Sequence, residues 1–192
     1  MKNVYKAYTI FRMHTTSEPR VAPGGLAELG PVNWALCRVI SRFAGTPEAH
    51  LFTTLGRQRR LFRAWLRFAG QMMPGGSIDR HETELVILRV AHLRQCHYEL
   101  DHHVRIGGRV GVGPEVVERI FVGPEADGLG DRHRALLRGV DALLRDRNID
   151  DATWTELAAH YSEEQLVELC LLVGHYDMLA TTIATLRIAR DF

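Results

Sequence analysis

The chain has 192 residues, 46% hydrophobic and 24% charged, the make-up of one globular domain large enough to bury a core without staples. A formal net charge of +1 removes the electrostatic case for a nucleic-acid or anionic-membrane partner. Cys37, Cys96 and Cys170 are odd in number and widely spaced, which argues against a disulfide framework and a zinc knuckle.

The N-terminal stretch MKNVYKAYTIFRMHTT has no long apolar core, so no secretory signal is expected. No apolar run approaches the roughly 20 residues of a membrane span. The expected location is the reduced cytoplasm. The cations are arginines apart from Lys2 and Lys6, a pattern we attribute to coding bias rather than to phosphate recognition.

Residues 1–30 form an irregular arm punctuated by Pro19, Pro23, Gly24 and Gly25, and residues 31–192 form the helical domain. From Val32, the residues Trp34, Leu36, Cys37, Ile40 and Phe43 keep a helical period until Gly45. Thr46-Pro47-Glu48 predicts a cap with proline at the first position of a short helix ending at Leu55. Residues 57–69 predict an amphipathic helix with Leu61, Phe62, Trp65, Leu66 and Phe68 inward and a solvated arginine face outward.

Ser77 or Asp79 caps the next helix, with Glu82 as a capping-box partner. No Gly or Pro interrupts residues 79–106, so local signals predict one long helix. On it, Glu84 and Cys96 would lie about 120° apart. They share a site only if the helix breaks between them, and Arg94-Gln95 is the polar place for that break.

Gly107-Gly108 ends this element, and Pro114 opens a short helix through Ile120. A loop at 122–130 precedes a helix at 131–147. Asp150 or Asp151 caps the next helix, and a Ser162–Gln165 capping box opens the last. A close helix contact would explain Gly174 inside that last helix. No alternating strand pattern persists. The predicted fold is an all-α, single-domain bundle of about eight helices.

The stretch ELVILRVAHLRQCHYELDHH, from Glu84 to His103, concentrates the chemistry. Cys96, Glu99 and His103 fall at i, i+3 and i+7, on one helical stripe. A thiol, a carboxylate and an imidazole on one face support acid–base or thiol chemistry. On residue types alone, Cys96 is equally a small core residue and Glu99/His103 a surface pair.

His97/Asp101, Glu99/His102 and Glu99/His103 each have the spacing to present two metal ligands. Such pairs arise by chance and HExxH is absent, so neither a metal nor another cofactor is expected. His133, His160 and His175 are isolated and taken as structural or surface residues. Tyr176 and Met178 are assigned to core packing.

The spacing of Glu84, Cys96 and His103 resembles the motif region of the carboxymuconolactone decarboxylase family, which includes the alkylhydroperoxidase-D-like (AhpD-like) proteins. Its redox members carry a Glu, a Cys twelve residues later that opens a CxxC, and a His four residues after the second Cys. Glu99 here occupies the second cysteine position. CHYELDHH and its flanks resemble the single-Cys members with CxYEWxxH. GPVNWALCR, LFTTLGR, DATWTEL and GHYDMLA extend the resemblance over roughly residues 18–190.

The resemblance implies an AhpD-like helical fold, assembly into a homotrimer or homohexamer, and a pocket near the motif. It implies His103 as general acid or base, Glu99 as its partner, Glu84 as an orienting group and Cys96 as a pocket thiol. Tyr98, His92 and His102 are weaker pocket candidates. The expected activity is cofactor-independent acid–base chemistry on a small carboxylated or lactone-like molecule. One alternative is a Cys96-dependent alkyl hydroperoxide reductase that draws on an external thiol. The other is a non-catalytic protein that binds a ligand or partner.

Overall fold

The computed structural model describes residues 18–192, so most of the expected N-terminal arm lies outside the described residues. Among these residues there are nine α-helices and no strand. They are α1 (Leu26–Ala44), α2 (His50–Leu55), α3 (Arg59–Met72), α4 (Arg80–Leu93), α5 (His97–Gly108), α6 (Pro114–Val122), α7 (Asp131–Asp146), α8 (Asp151–Ala158) and α9 (Glu163–Leu186). The all-α expectation holds.

Helix α4 is the axis of the bundle. Every residue from Glu82 to Ala91 is buried, the signature of a helix covered on all sides. Helices α5, α6, α7 and α9 pack around it. Asp79 caps it through the His81 amide at 2.8 Å. Glu82 does not complete a capping box. Its carboxylate instead accepts from Arg132 Nε at 2.6 Å and from the Tyr161 hydroxyl at 2.8 Å.

The one long helix that local signals predict over 79–106 is instead two, and the break falls at Arg94-Gln95, the place a shared site for Glu84 and Cys96 demands. Gln95 adopts the left-handed conformation (φ 52°). The Cys96 amide donates to Ala91 O and the Gln95 amide to His92 O. These two bonds form a Schellman motif, which normally uses glycine. Cys96 then caps α5.

Packing settles the inward face of α1, which periodicity leaves open, and the expected inward face of α3 holds only in part. Helix α1 begins earlier than expected, at Leu26, and turns at Gly30 (φ 72°) before Pro31. It buries Leu29, Asn33, Cys37 and Ser41, while Val32, Trp34, Leu36, Val39 and Phe43 face outward. The inward face uses small and polar groups because it meets backbone: Asn33 Nδ2 donates to Gly56 O at 3.0 Å, and Ser41 Oγ accepts from the Ala49 amide at 2.9 Å. On α3, Phe62 is buried but Leu61 and Phe68 are exposed.

The short helix α2 starts at His50 rather than at Pro47, because Thr46–Glu48 is held as a turn by Thr46 Oγ1 donating to Glu48 O. Helix α9 runs through Gly174 without interruption. A Cβ there would meet nothing within 4 Å, so no close contact among the described residues explains that glycine. By length and composition α9 is apolar enough to cross a membrane. Its buried side, including Leu166, Leu169, Leu172 and Val173, is spent on the core.

Arg89 ties the axis to its surroundings. It is buried, grips Asp141 of α7 with two bonds of 2.7 Å, and donates to the carbonyls of Ile120 and Phe121 at the end of α6. Removing one partner of a buried ion pair costs about 3–5 kcal/mol. Arg89→Met should lower the unfolding free energy by that order, measured by urea denaturation.

Candidate active site

The α4–α5 break lets α5 fold back alongside α4, so that Glu84 and the stripe of α5 meet. Glu84 has no solvent exposure. One helical turn before it, Arg80 Nη2 contacts Glu84 Oε1 at 2.5 Å. Glu84 Oε2 accepts from His103 Nδ1 at 2.8 Å. The other imidazole nitrogen, Nε2, lies 3.3 Å from Glu99 Oε2, one turn earlier on α5. The result is a line of alternating charge, Arg80–Glu84–His103–Glu99, buried in the bundle from Glu84 onward and reaching partly exposed Arg80 at its other end.

Burial alone would depress the His103 pKa and is the largest single influence. The hydrogen bonds and charges of Glu84 and then Glu99 outweigh it, raising the value from 6.5 to about 9. His103 is therefore an imidazolium at neutral pH. The thiol of Cys96 is affected in the opposite sense. Burial, with the Glu99 charge adding to it, pushes it up to about 12, against weaker help from the Glu99 and Tyr98 amides. It is a protonated thiol in this environment.

Four polar side-chain atoms are buried with no hydrogen-bond partner among the described residues: Arg80 Nη1, Glu99 Oε1, His175 Nδ1 and Trp65 Nε1. Each such group costs about 1–3 kcal/mol. Ring contacts connect them to the charged line. His103 meets the Tyr176 ring edge-on at 5.3 Å, Tyr176 meets His175 at 5.3 Å, and His175 stacks on Trp65 at 5.9 Å.

The structure thus brings Glu84, Glu99 and His103 into one unit and sets Cys96 at its edge. Tyr98 and His102 belong to a different cluster, centred on Asp191. The Tyr98 hydroxyl donates to Asp191 Oδ2 at 2.7 Å, and His102 Nε2 lies 2.9 Å from the same oxygen. His92 stacks on Phe121 of α6 at 4.3 Å. Burial, followed by the Arg89 charge, lowers its pKa.

Sequence reasoning missed Arg80, Trp65, His175 and Tyr176. Arg80 was findable as the i−4 neighbour of Glu84. The other three come from α3 and α9, and only the packing of those helices brings them to the site. Among the described residues, no group of three or more His, Cys, Asp or Glu side chains is arranged to hold a metal ion.

Residues 59–142 match the model of the carboxymuconolactone decarboxylase family. The uncharacterized protein YdfG of Bacillus subtilis (strain 168) is 25% identical over 103 residues, covering 53% of this chain and 70% of that protein. An uncharacterized peroxidase-related protein from Ralstonia eutropha JMP134, with an alkylhydroperoxidase AhpD core, superposes with a TM-score of 0.78 at 20% identity, over 92% of this chain and 93% of that one. A cysteine-to-alanine variant of the debrominase Bmp8, in complex with 2,3,4-tribromopyrrole, superposes with a TM-score of 0.73 at 19% identity, over 92% of each chain.

The raised His103 pKa has a consequence for stability. A group whose pKa rises on folding stabilises the fold fully below its unfolded value of 6.5 and loses that contribution as pH climbs through about 9. The unfolding free energy should therefore fall between pH 7 and 10 more steeply in the wild type than in His103→Gln. Parallel pH profiles of urea denaturation check this.

Proposed function

We propose that this chain, whose residues 59–142 match the carboxymuconolactone decarboxylase family, is a member of that family and a cofactor-independent acid–base enzyme acting on a small carboxylated or lactone-like molecule. The observation that carries this reading is the Glu84–His103–Glu99 line, which ends at the unpartnered Glu99 Oε1.

Glu84 fixes the Nδ1–H of His103 and so aims Nε2 at Glu99. A proton moves from His103 Nε2 to Glu99 Oε2, and the resulting carboxylic acid delivers it to substrate. The reverse path makes Glu99 a base. Arg80, whose Nη1 is also unpartnered, is the cation that holds a substrate carboxylate or a developing oxyanion. In a decarboxylation the C–C bond to the carboxylate breaks and its electron pair passes to a conjugated carbonyl oxygen. One proton from Glu99 then returns to carbon. The balance needs no redox partner.

A second reading is a Cys96-dependent peroxide reductase. Cys96 lies within electrostatic reach of Glu99, which would take the thiol proton, and the peroxidase-related neighbour supports it. Sulfur would attack the peroxide, the O–O bond would break to give an alcohol and a sulfenic acid, and an external thiol would reduce that acid. The thiol value of about 12 weighs against it. The tribromopyrrole ligand of the debrominase supports a small-molecule pocket under either reading.

We also infer a cytoplasmic homo-oligomer, a trimer or hexamer. Val32, Leu36, Val39 and Phe43 are all exposed, and their 4-3-4 spacing is that of a helix–helix seam.

Two experiments test these readings. In a turnover screen of small carboxylates and lactones, Glu99→Gln and His103→Gln should each lower kcat by about 10²–10⁴-fold, the worth of a positioned acid–base group. Cys96→Ser should stay within a few fold, and abolition there with peroxide as substrate would establish the second reading instead. In light scattering, Val39→Glu with Phe43→Glu should convert the assembly to smaller species, and a monomeric wild type would refute the seam.

A further inference from the structure

The wall that α3 and α9 contribute to the site carries more than packing. Trp65 and His175 stack with an interplanar angle of 20°. Trp65 Nε1 and His175 Nδ1 are both buried without a partner among the described residues. Nearly all buried polar atoms in native proteins are hydrogen-bonded, and a phenylalanine pair would pack there without leaving two groups open. Glu99, whose Oε1 is likewise unpartnered, is near enough for its charge to act on His175.

The chemistry of these atoms defines what they bind. An indole N–H only donates, an ionised carboxylate only accepts, and a neutral imidazole nitrogen does either. Burial lowers the His175 pKa against the opposing Glu99 charge, so His175 is neutral at pH 7. The surroundings are aromatic. Tyr176 stands edge-on to both histidines, at 87° and 88°, and Phe68 meets His175 at 5.6 Å. A ligand satisfying this wall is itself a ring, with an acceptor for Trp65 and a donor for Glu99 or His175.

We propose that Trp65 and His175 are the specificity-determining edge of this site, selecting a planar ring that carries a hydrogen-bond acceptor beside a ring N–H or enolic O–H, as in cyclic amides, cyclic 1,3-dicarbonyl enols and carbonyl-substituted azoles. This inference rests on the site of the proposed function and narrows its substrate class. Trp65 Nε1–H donates to the ligand acceptor, and the ligand donor points to Glu99 Oε1 or His175 Nδ1. That places the ring against the end of the proton line.

The test is equilibrium binding to the full chain, which needs no turnover. The probes are 2-pyridone, with N–H and C=O on one ring, and N-methyl-2-pyridone, in which a methyl group replaces the donor hydrogen; 4-methyl-2-pyridone, which keeps the donor, controls for the added bulk. By titration calorimetry the wild type should bind 2-pyridone about tenfold more tightly, the worth of one hydrogen bond to a charged or buried group. Trp65→Phe and His175→Phe, checked for folding by circular dichroism, should each weaken 2-pyridone binding by a similar factor.

Equal affinity for the two probes in the wild type overturns the inference without reliance on any variant. So does the absence of 2-pyridone binding up to its solubility limit, and so does unchanged affinity in both folded variants. The two claims separate cleanly. Probe selectivity that persists while His103→Gln leaves turnover intact removes the acid–base reading and keeps this edge. His103-dependent turnover without probe selectivity removes the edge alone.

Discussion

An ionised carboxylate taken wholly out of water costs several kcal/mol unless its charge and both oxygens are matched. Glu84 is in that position, and its two partners come from different stretches of chain. Arg80 lies one turn earlier on the same helix, and His103 lies beyond the helix break. The pairing therefore sets both the angle between α4 and α5 and the protonation of His103. Its influence extends to Glu99, which has His103 Nε2 beside one oxygen and, among the described residues, no hydrogen-bond partner for the other. Two cations and two carboxylates in one line, with only Arg80 partly exposed, balance in charge, and a proton can shift along it without creating an isolated charge.

The same arrangement distinguishes the imidazole from the thiol. Glu99 stabilises the charged form of His103 and opposes the charged form of Cys96. A carboxylate at that position on α5 suits proton transfer and works against a standing thiolate. Groups in one site with proton affinities pushed in opposite directions are the usual basis for acid–base assignments. Here His103 moves up while His175, across the Tyr176 ring, moves down.

Much of this was legible in the sequence because helix geometry constrains it. The angular separation of Glu84 and Cys96 on an unbroken helix required a break at Arg94-Gln95. The break is there, made by Gln95 in a conformation usually reserved for glycine. The Asp150 cap and the Ser162–Gln165 box open α8 and α9 as their patterns imply. Periodicity located the apolar face of α1 but not its direction. An apolar stripe that faces outward and one covered by the core look alike in sequence, and α1 turns its small and polar stripe inward. His175 looked isolated because its neighbours, Trp65 and Phe68, lie more than a hundred residues away.

The central claim is that His103 is an imidazolium held between two carboxylates. Side-chain ¹⁵N NMR of the full-length protein, followed from pH 6 to pH 10, reads the protonation of both ring nitrogens directly. The account predicts that both Nδ1 and Nε2 of His103 carry protons at pH 7.5 and that the transition falls near pH 9. A neutral His103 at pH 7.5, with a transition at or below 6.5, would contradict it.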